Sequence, residues 1–91
     1  MPDFTVYNVH EDGKLEEVDP TNFVATSKDV LIIIDRENNK AILWRGLEAN
    51  VRKKFAGAQA FNHKKKEAGD NPQVIEAEGD EFDITQYVKK E

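Results

Sequence analysis

Apolar and polar residues change period twice along this chain, and each change marks an element. Residues 4–9 set Phe, Val and Val against Thr, Tyr and Asn, the pattern of a half-buried strand. Asp12-Gly13 is a strong turn dipeptide, so the short polar run 14–18 predicts an edge strand paired to the first. Asp19-Pro20 breaks that strand. Residues 21–27 read as irregular, with Phe23 and Val24 expected as anchors into the core. Alternation then stops: Val30, Leu31, Ile32, Ile33 and Ile34 are all apolar, and four of the five are β-branched. β-Branched side chains suit a pleated strand, and an unbroken apolar run suits a strand covered on both faces. Residues 37–40 (Glu-Asn-Asn-Lys) are a turn signal, because Asn tolerates positive φ. Residues 41–44 return as the partner strand, and Arg45-Gly46 follows.

After Gly46 the period becomes helical. Val51, Phe55, Ala58 and then Phe61 or Asn62 recur at three and four residues, which predicts the core face of a helix over residues 48–68. Ala56 and Ala60 fall on another face. Glu48 suits the positive end of such a helix, the lysine run its other end, and Gly69 a stop. Gly57 inside it costs about 1 kcal/mol relative to Ala. Residues 73–78 alternate weakly around Val74, Ile75 and Ala77 and predict one more strand. Phe82, Ile84, Thr85 and Val88 predict a short closing helix. A hairpin centred on Ile33 and Trp44 is thus expected under the long helix, with the short helix on the other face.

Composition narrows the function classes. Ninety-one residues predict one domain, spanning 1–91, with 38% apolar and 34% charged residues. Cysteine is absent, which removes disulfides, thiol nucleophiles and thiolate metal sites and fits a cytoplasmic setting. No apolar run approaches the roughly 18–20 residues that span a bilayer. A net charge of −5 argues against nucleic acid as a partner. The charge is uneven, though. Arg52, Lys53, Lys54, Lys64, Lys65 and Lys66 stand in a stretch without acids, while acids gather in residues 11–19 and 76–83.

Catalytic patterns are missing. His10 and His63 have no metal-ligand spacing, and Ser27, the only serine, sits in no nucleophile elbow. There is no Gly-rich phosphate loop. The pairs Glu16/Glu17 and Glu76/Glu78 read as solvated strand edges, and Trp44 beside Leu43 as core. Lys64-Lys65-Lys66 reads as a solvated helix end, or else as a contact to an acidic protein or an anionic phospholipid. An interaction module, not an enzyme, is the expectation.

One block resembles a known family. Asp29-Val30-Leu31-Ile32-Ile33-Ile34-Asp35, then Ile42-Leu43-Trp44-Arg45-Gly46, then a helix a few residues later, is similar to the gelsolin-like domain of gelsolin, villin and severin. Glu78-Gly79-Asp80-Glu81-Phe82 resembles that family's Glu-Gly-x-Glu element, and residues 4–9 fit its first strand. The resemblance covers nearly the whole chain. It implies an α+β fold of cofilin-like architecture: a mixed central sheet of about five strands sandwiched between one long and one short helix.

The resemblance also implies binding of actin or an actin-like protein through the long helix. Carried onto this chain, contacts fall on the stripe Arg52, Ala56, Gln59, His63 and Lys66. Binding of monomers or modulation of filament assembly is implied; an adaptor role in a membrane-traffic or signalling assembly, with the free edge at residues 14–18 as docking site, is the alternative. Family members often bind calcium through an acid before the central strand and a Glu in the first turns of the helix. Asp29 matches the first position, but the second falls at about Lys53. Calcium needs several oxygen ligands. The expectation is a calcium-independent module with no cofactor, in which Lys53 or Arg52 replaces the metal's charge, an Asp29–Lys53 pair being the candidate.

Overall fold

In a computed structural model that describes residues 4–19 and 22–82, the elements run β1 (Phe4–Val9), β2 (Leu15–Val18), β3 (Val30–Asp35), β4 (Lys40–Gly46), helix α1 (Val51–Lys64), a 3-10 turn (Lys65–Ala68) and β5 (Gln73–Gly79). The five strands form one sheet in the order β2-β1-β3-β4-β5. β1 pairs antiparallel with β2 and β3, and β3 with β4. β4 and β5 are parallel. A parallel pair needs a crossover, and α1 supplies it. The predicted closing helix lies outside the described residues, apart from Phe82.

β3 is the middle strand, and all six of its residues are buried. Val30, Ile32 and Ile34 face α1 together with Val9, Ala41, Leu43, Ala56, Phe61 and Ala68. Leu31 and Ile33 face the opposite side with Val6, Ile42 and Trp44, where Phe4, Phe23, Ile75 and Phe82 pack. The expectation that the helix roofs Ile33 and Trp44 is therefore corrected. It roofs the same two strands through their alternate residues, because successive side chains point to opposite faces. Trp44 is covered instead by Phe82, whose ring meets it edge-on at 5.5 Å between centroids. β1 holds a similar correction: Val9 shares the helix face with Tyr7, not the face of Phe4 and Val6.

Local chemistry sets the joints. The β3–β4 turn closes at the Asp35–Lys40 pair with Asn39 at φ 53°. Buried Asp35 accepts hydrogen bonds from the Asn38 side-chain amide at 2.8 Å and its backbone N–H at 3.2 Å. Asn39 also reaches the segment before β5, donating to the Asp70 carbonyl at 3.0 Å and accepting from Gln73 N–H at 2.9 Å. On β4, Arg45 forks to Glu76 at 3.3 Å and Glu78 at 3.4 Å, so the acids of edge strand β5 are paired and not merely solvated. Gly46 donates to the Asp29 carbonyl at 2.8 Å, and a Cβ there would strike the Ser27 carbonyl. The glycine after Trp44-Arg45 is a consequence of that backbone crossing.

The helix begins three residues later than expected. Asn50, not an earlier residue, caps it: its side chain accepts from Lys53 N–H at 2.8 Å. Glu48 belongs to the preceding turn. The helical face is corrected too. Ala56, Gly57 and Phe61 are the buried positions of α1, whereas Val51 and Phe55 are exposed. A Cβ on Gly57 would lie 2.7 Å from Val30 Cγ1 and 3.6 Å from Leu43 Cδ1. The helix sits so low on the sheet that only small residues fit beneath its first turns.

Gly57→Ala tests that reading. Helix propensity alone favours Ala by about 1 kcal/mol, but Val30 is stiff and packed, and overpacking costs about 1–3 kcal/mol. Net destabilisation of up to about 2 kcal/mol is expected in urea melts. In the background of Val30→Ala the added methyl has room, and the same substitution should become neutral or stabilising.

Candidate functional site

Only one long helix is present among the described residues, and its outward face is the candidate surface. Asn50 sets the helix start, and Ala56, Gly57 and Phe61 fix its rotation by facing the sheet. Rotation then determines what points out. Val51 and Phe55, one turn apart, are 80% and 64% exposed. Gln59 and Asn62 continue the exposed stripe. Of the sequence-derived contact stripe, Arg52, Gln59, His63 and Lys66 are exposed as that stripe requires. Ala56 is not: it is 8% exposed and forms the floor of an open groove of about 530 Å³ between α1 and Gly13 of the β1–β2 turn. Gln59, Asn62 and His63 line the same groove.

Sequence reasoning therefore missed the two large apolar residues of the surface. Helical spacing groups Val51 with Phe55 but does not say whether the pair points in or out. The overlooked signal is Ala56-Gly57 with Ala60, a run of small residues that can press a helix against a sheet. More apolar groups lie exposed in nearby segments: Val24 at 83%, before β3, and Leu47 at 52%, after β4. Val24 is thus no core anchor; Phe23 alone turns inward. The loop before β3 is tied to the turn after β4 by Glu48 N–H to the Ser27 carbonyl, 2.8 Å, and by the Ser27 hydroxyl to the Glu48 carboxylate.

Asp29 and Lys53 come together, with Lys53 Nζ 3.8 Å from Asp29 Oδ1. The ammonium also lies 3.4 Å from the Lys28 carbonyl. Asp29 Oδ2 accepts from Thr26 N–H at 2.8 Å and the Thr26 hydroxyl at 3.2 Å. One carboxylate oxygen is engaged by Thr26, the other faces a cation, and the first turn of α1 carries no acid.

At the other end of α1, Lys64 pairs with Glu67 at 2.9 Å and sits 4.8 Å above the Tyr7 ring, while the Tyr7 hydroxyl donates to Glu67 at 3.3 Å. Burial, and then the Glu67 carboxylate, push the Tyr7 pKa up. The hydrogen bond to Glu67 pushes Lys64 up. This cluster fastens the helix C-terminus to β1. Lys65 and Lys66 stay on the outside, lining a cavity of about 450 Å³ with Asp70, Asn71 and Val74.

No family model and no curated protein matches the chain. Solved structures do. One is a Thorarchaeota protein, ProGel, crystallised in complex with rabbit actin: 23% identity, TM-score 0.71, covering 82% of this chain and 84% of that one. Another is Thorarchaeota 2DGel3, also in complex with rabbit actin: 26% identity, TM-score 0.62, covering 89% of this chain and 42% of that one. The chain has the gelsolin-like fold, one helix on a five-stranded mixed sheet.

Tyr7 and Lys64 give the surface's support an alkaline limit. Both hold their protons more tightly folded than at their ordinary values of 10.0 and 10.5. The stability they contribute is complete below about pH 10 and is lost as pH rises through the folded values. Melting temperature should fall across that range, and Tyr7→Phe should make the fall shallower.

Proposed function

We propose that this chain is a protein-binding module for actin or an actin-like protein, engaging monomers or modulating assembly through α1 without calcium. The observation that carries the reading is Phe55. It stands exposed beside Val51 on a helix locked from beneath, in a fold whose similar structures were solved as actin complexes. Binding energy concentrates in a few large side chains that enter a partner's pockets, with polar neighbours excluding water around them. Phe55 and Val51 supply the apolar anchor, and Arg52, Gln59, His63 and Lys66 form the polar surround. An acidic partner such as actin would be drawn to the cationic flank, which raises the association rate more than the affinity.

Binding, not catalysis, is the chemistry this arrangement supports. Ser27 bonds Glu48 and His10 bonds Glu16, so the serine and this histidine each meet an acid of a neighbouring segment instead of each other. The absence of calcium dependence rests on the Asp29–Lys53 geometry. A cytoplasmic location follows from the proposed partner. Arg52, Lys65 and Lys66 also suit an anionic phospholipid head group, which would compete with the protein partner for the same flank.

Titration against pyrene-labelled monomeric actin tests the reading. Phe55→Ala should weaken binding about 10–30-fold, from the roughly 2 kcal/mol typical of an anchor residue, while the exposed position keeps the melting temperature within about 2–4 °C. Raising salt should slow association with little change in dissociation. No effect on assembly and no co-sedimentation at tens of micromolar protein would reject actin as partner and leave the adaptor role.

A further inference from the structure

Three segments meet where β3 begins and β4 ends: the loop carrying Val24, the turn carrying Leu47 and the first turn of α1 carrying Val51. Backbone bonds tie the loop to the turn, Gly46 N–H to the Asp29 carbonyl and Glu48 N–H to the Ser27 carbonyl, both at 2.8 Å. The helix is joined to the loop by a side chain. Lys53 Nζ reaches Asp29 Oδ1 at 3.8 Å and the Lys28 carbonyl at 3.4 Å. Its ammonium stands among oxygens from one loop, the environment a free cation would seek. The two side chains are only 21% and 18% exposed, so salt and water screen the pair less than a surface pair.

We infer that Lys53 is a positioning residue, an internal cation that holds the loop of residues 22–29 against α1 so that Val24, Leu47, Val51 and Phe55 form one rigid apolar partner-binding surface. The inference rests on the proposed role of α1 and deepens it by naming what orders the surface. Order matters because a loop that must be immobilised on binding subtracts from affinity. The charge of Lys53, not its length, is the operative property. Arginine should preserve the tie and methionine should lose it. Reversing the charge with Lys53→Glu sets a second carboxylate beside Asp29 and the Lys28 carbonyl, a set of oxygens that repel one another until a divalent ion joins them.

Thermal melts in chelator and in millimolar calcium, amide exchange and actin titration together test this. The wild-type melts should overlay. Lys53→Met should lower the melting temperature by about 4–8 °C, the shift of a 1 kcal/mol loss, speed exchange in residues 22–29 while β3 stays protected, and weaken actin binding several-fold. Lys53→Arg should restore all three. Lys53→Glu should melt low in chelator and recover with calcium. A saturable calcium shift in the wild type, or a Lys53→Met protein with wild-type melting, exchange and affinity, would overturn the inference. Melting and exchange are read without actin. If the wild type fails to bind actin while the Lys53 series behaves as stated, the partner assignment falls and the positioning role stands. If Phe55→Ala loses binding while the Lys53 series is silent, the reverse holds.

Discussion

The close approach of α1 to β3, at Gly57 over Val30, is the contact on which the remaining structure depends. A helix that comes this near can bury only small side chains in its first turns, and Ala56, Gly57 and Ala60 supply them. Phe61, farther along, fills the space that opens toward Ala68. The same steric limit expels Phe55. A large apolar residue on a helix ordinarily belongs beneath it, and this one lies outside because the position beneath is already taken. The feature that tightens the core thus also creates the exposed anchor. Stability and recognition are set here by one rotation of one helix about its axis.

That rotation would be worth little on a loose helix. Each end of α1 has its own fastening. At the start, Asn50 satisfies a free N–H of the first turn while Lys53 turns toward Asp29. At the end, Lys64, Glu67 and Tyr7 form a compact charged and aromatic cluster against β1. Two of the cations that make the helix look uniformly basic are therefore engaged internally. The field left for a partner comes from Arg52, Lys54, Lys65 and Lys66. In a chain with net charge −5 this local excess gives the molecule a direction: one cationic flank on an otherwise acidic body.

The sheet explains why so small a chain can support such a surface. β3 is covered twice, by α1 on one side and by Phe4, Phe23, Ile75 and Phe82 on the other. Two thin cores share one strand, so a small set of buried residues serves both. The hairpin turn at Asn39 and the fork of Arg45 then tie β5 into the same sheet, which holds both ends of the βαβ crossover in place.

Most of the architecture was legible from local pattern. The unbroken run 30–34 announces a doubly covered strand because no alternation is possible when both faces are dry. Asp12-Gly13 and Asn38-Asn39 announce turns through backbone chemistry that acts within a few residues. The order of strands and helix follows from those signals alone. The helix face did not. Periodicity groups Val51 with Phe55 and Ala56 with Ala60, but choosing the buried group requires knowing how close the sheet comes, a distance set by Val30, some twenty-seven positions earlier in the chain. Val24 and Phe23 pose the same question between neighbours, and only the packed core answers it. Nor could charge spacing tell that Lys53 meets Asp29 while Arg52 stays free. Sequence determined which elements form and in what order, since those depend on near neighbours. Tertiary structure decided which side chains remain outside, since that depends on space left over by residues far away.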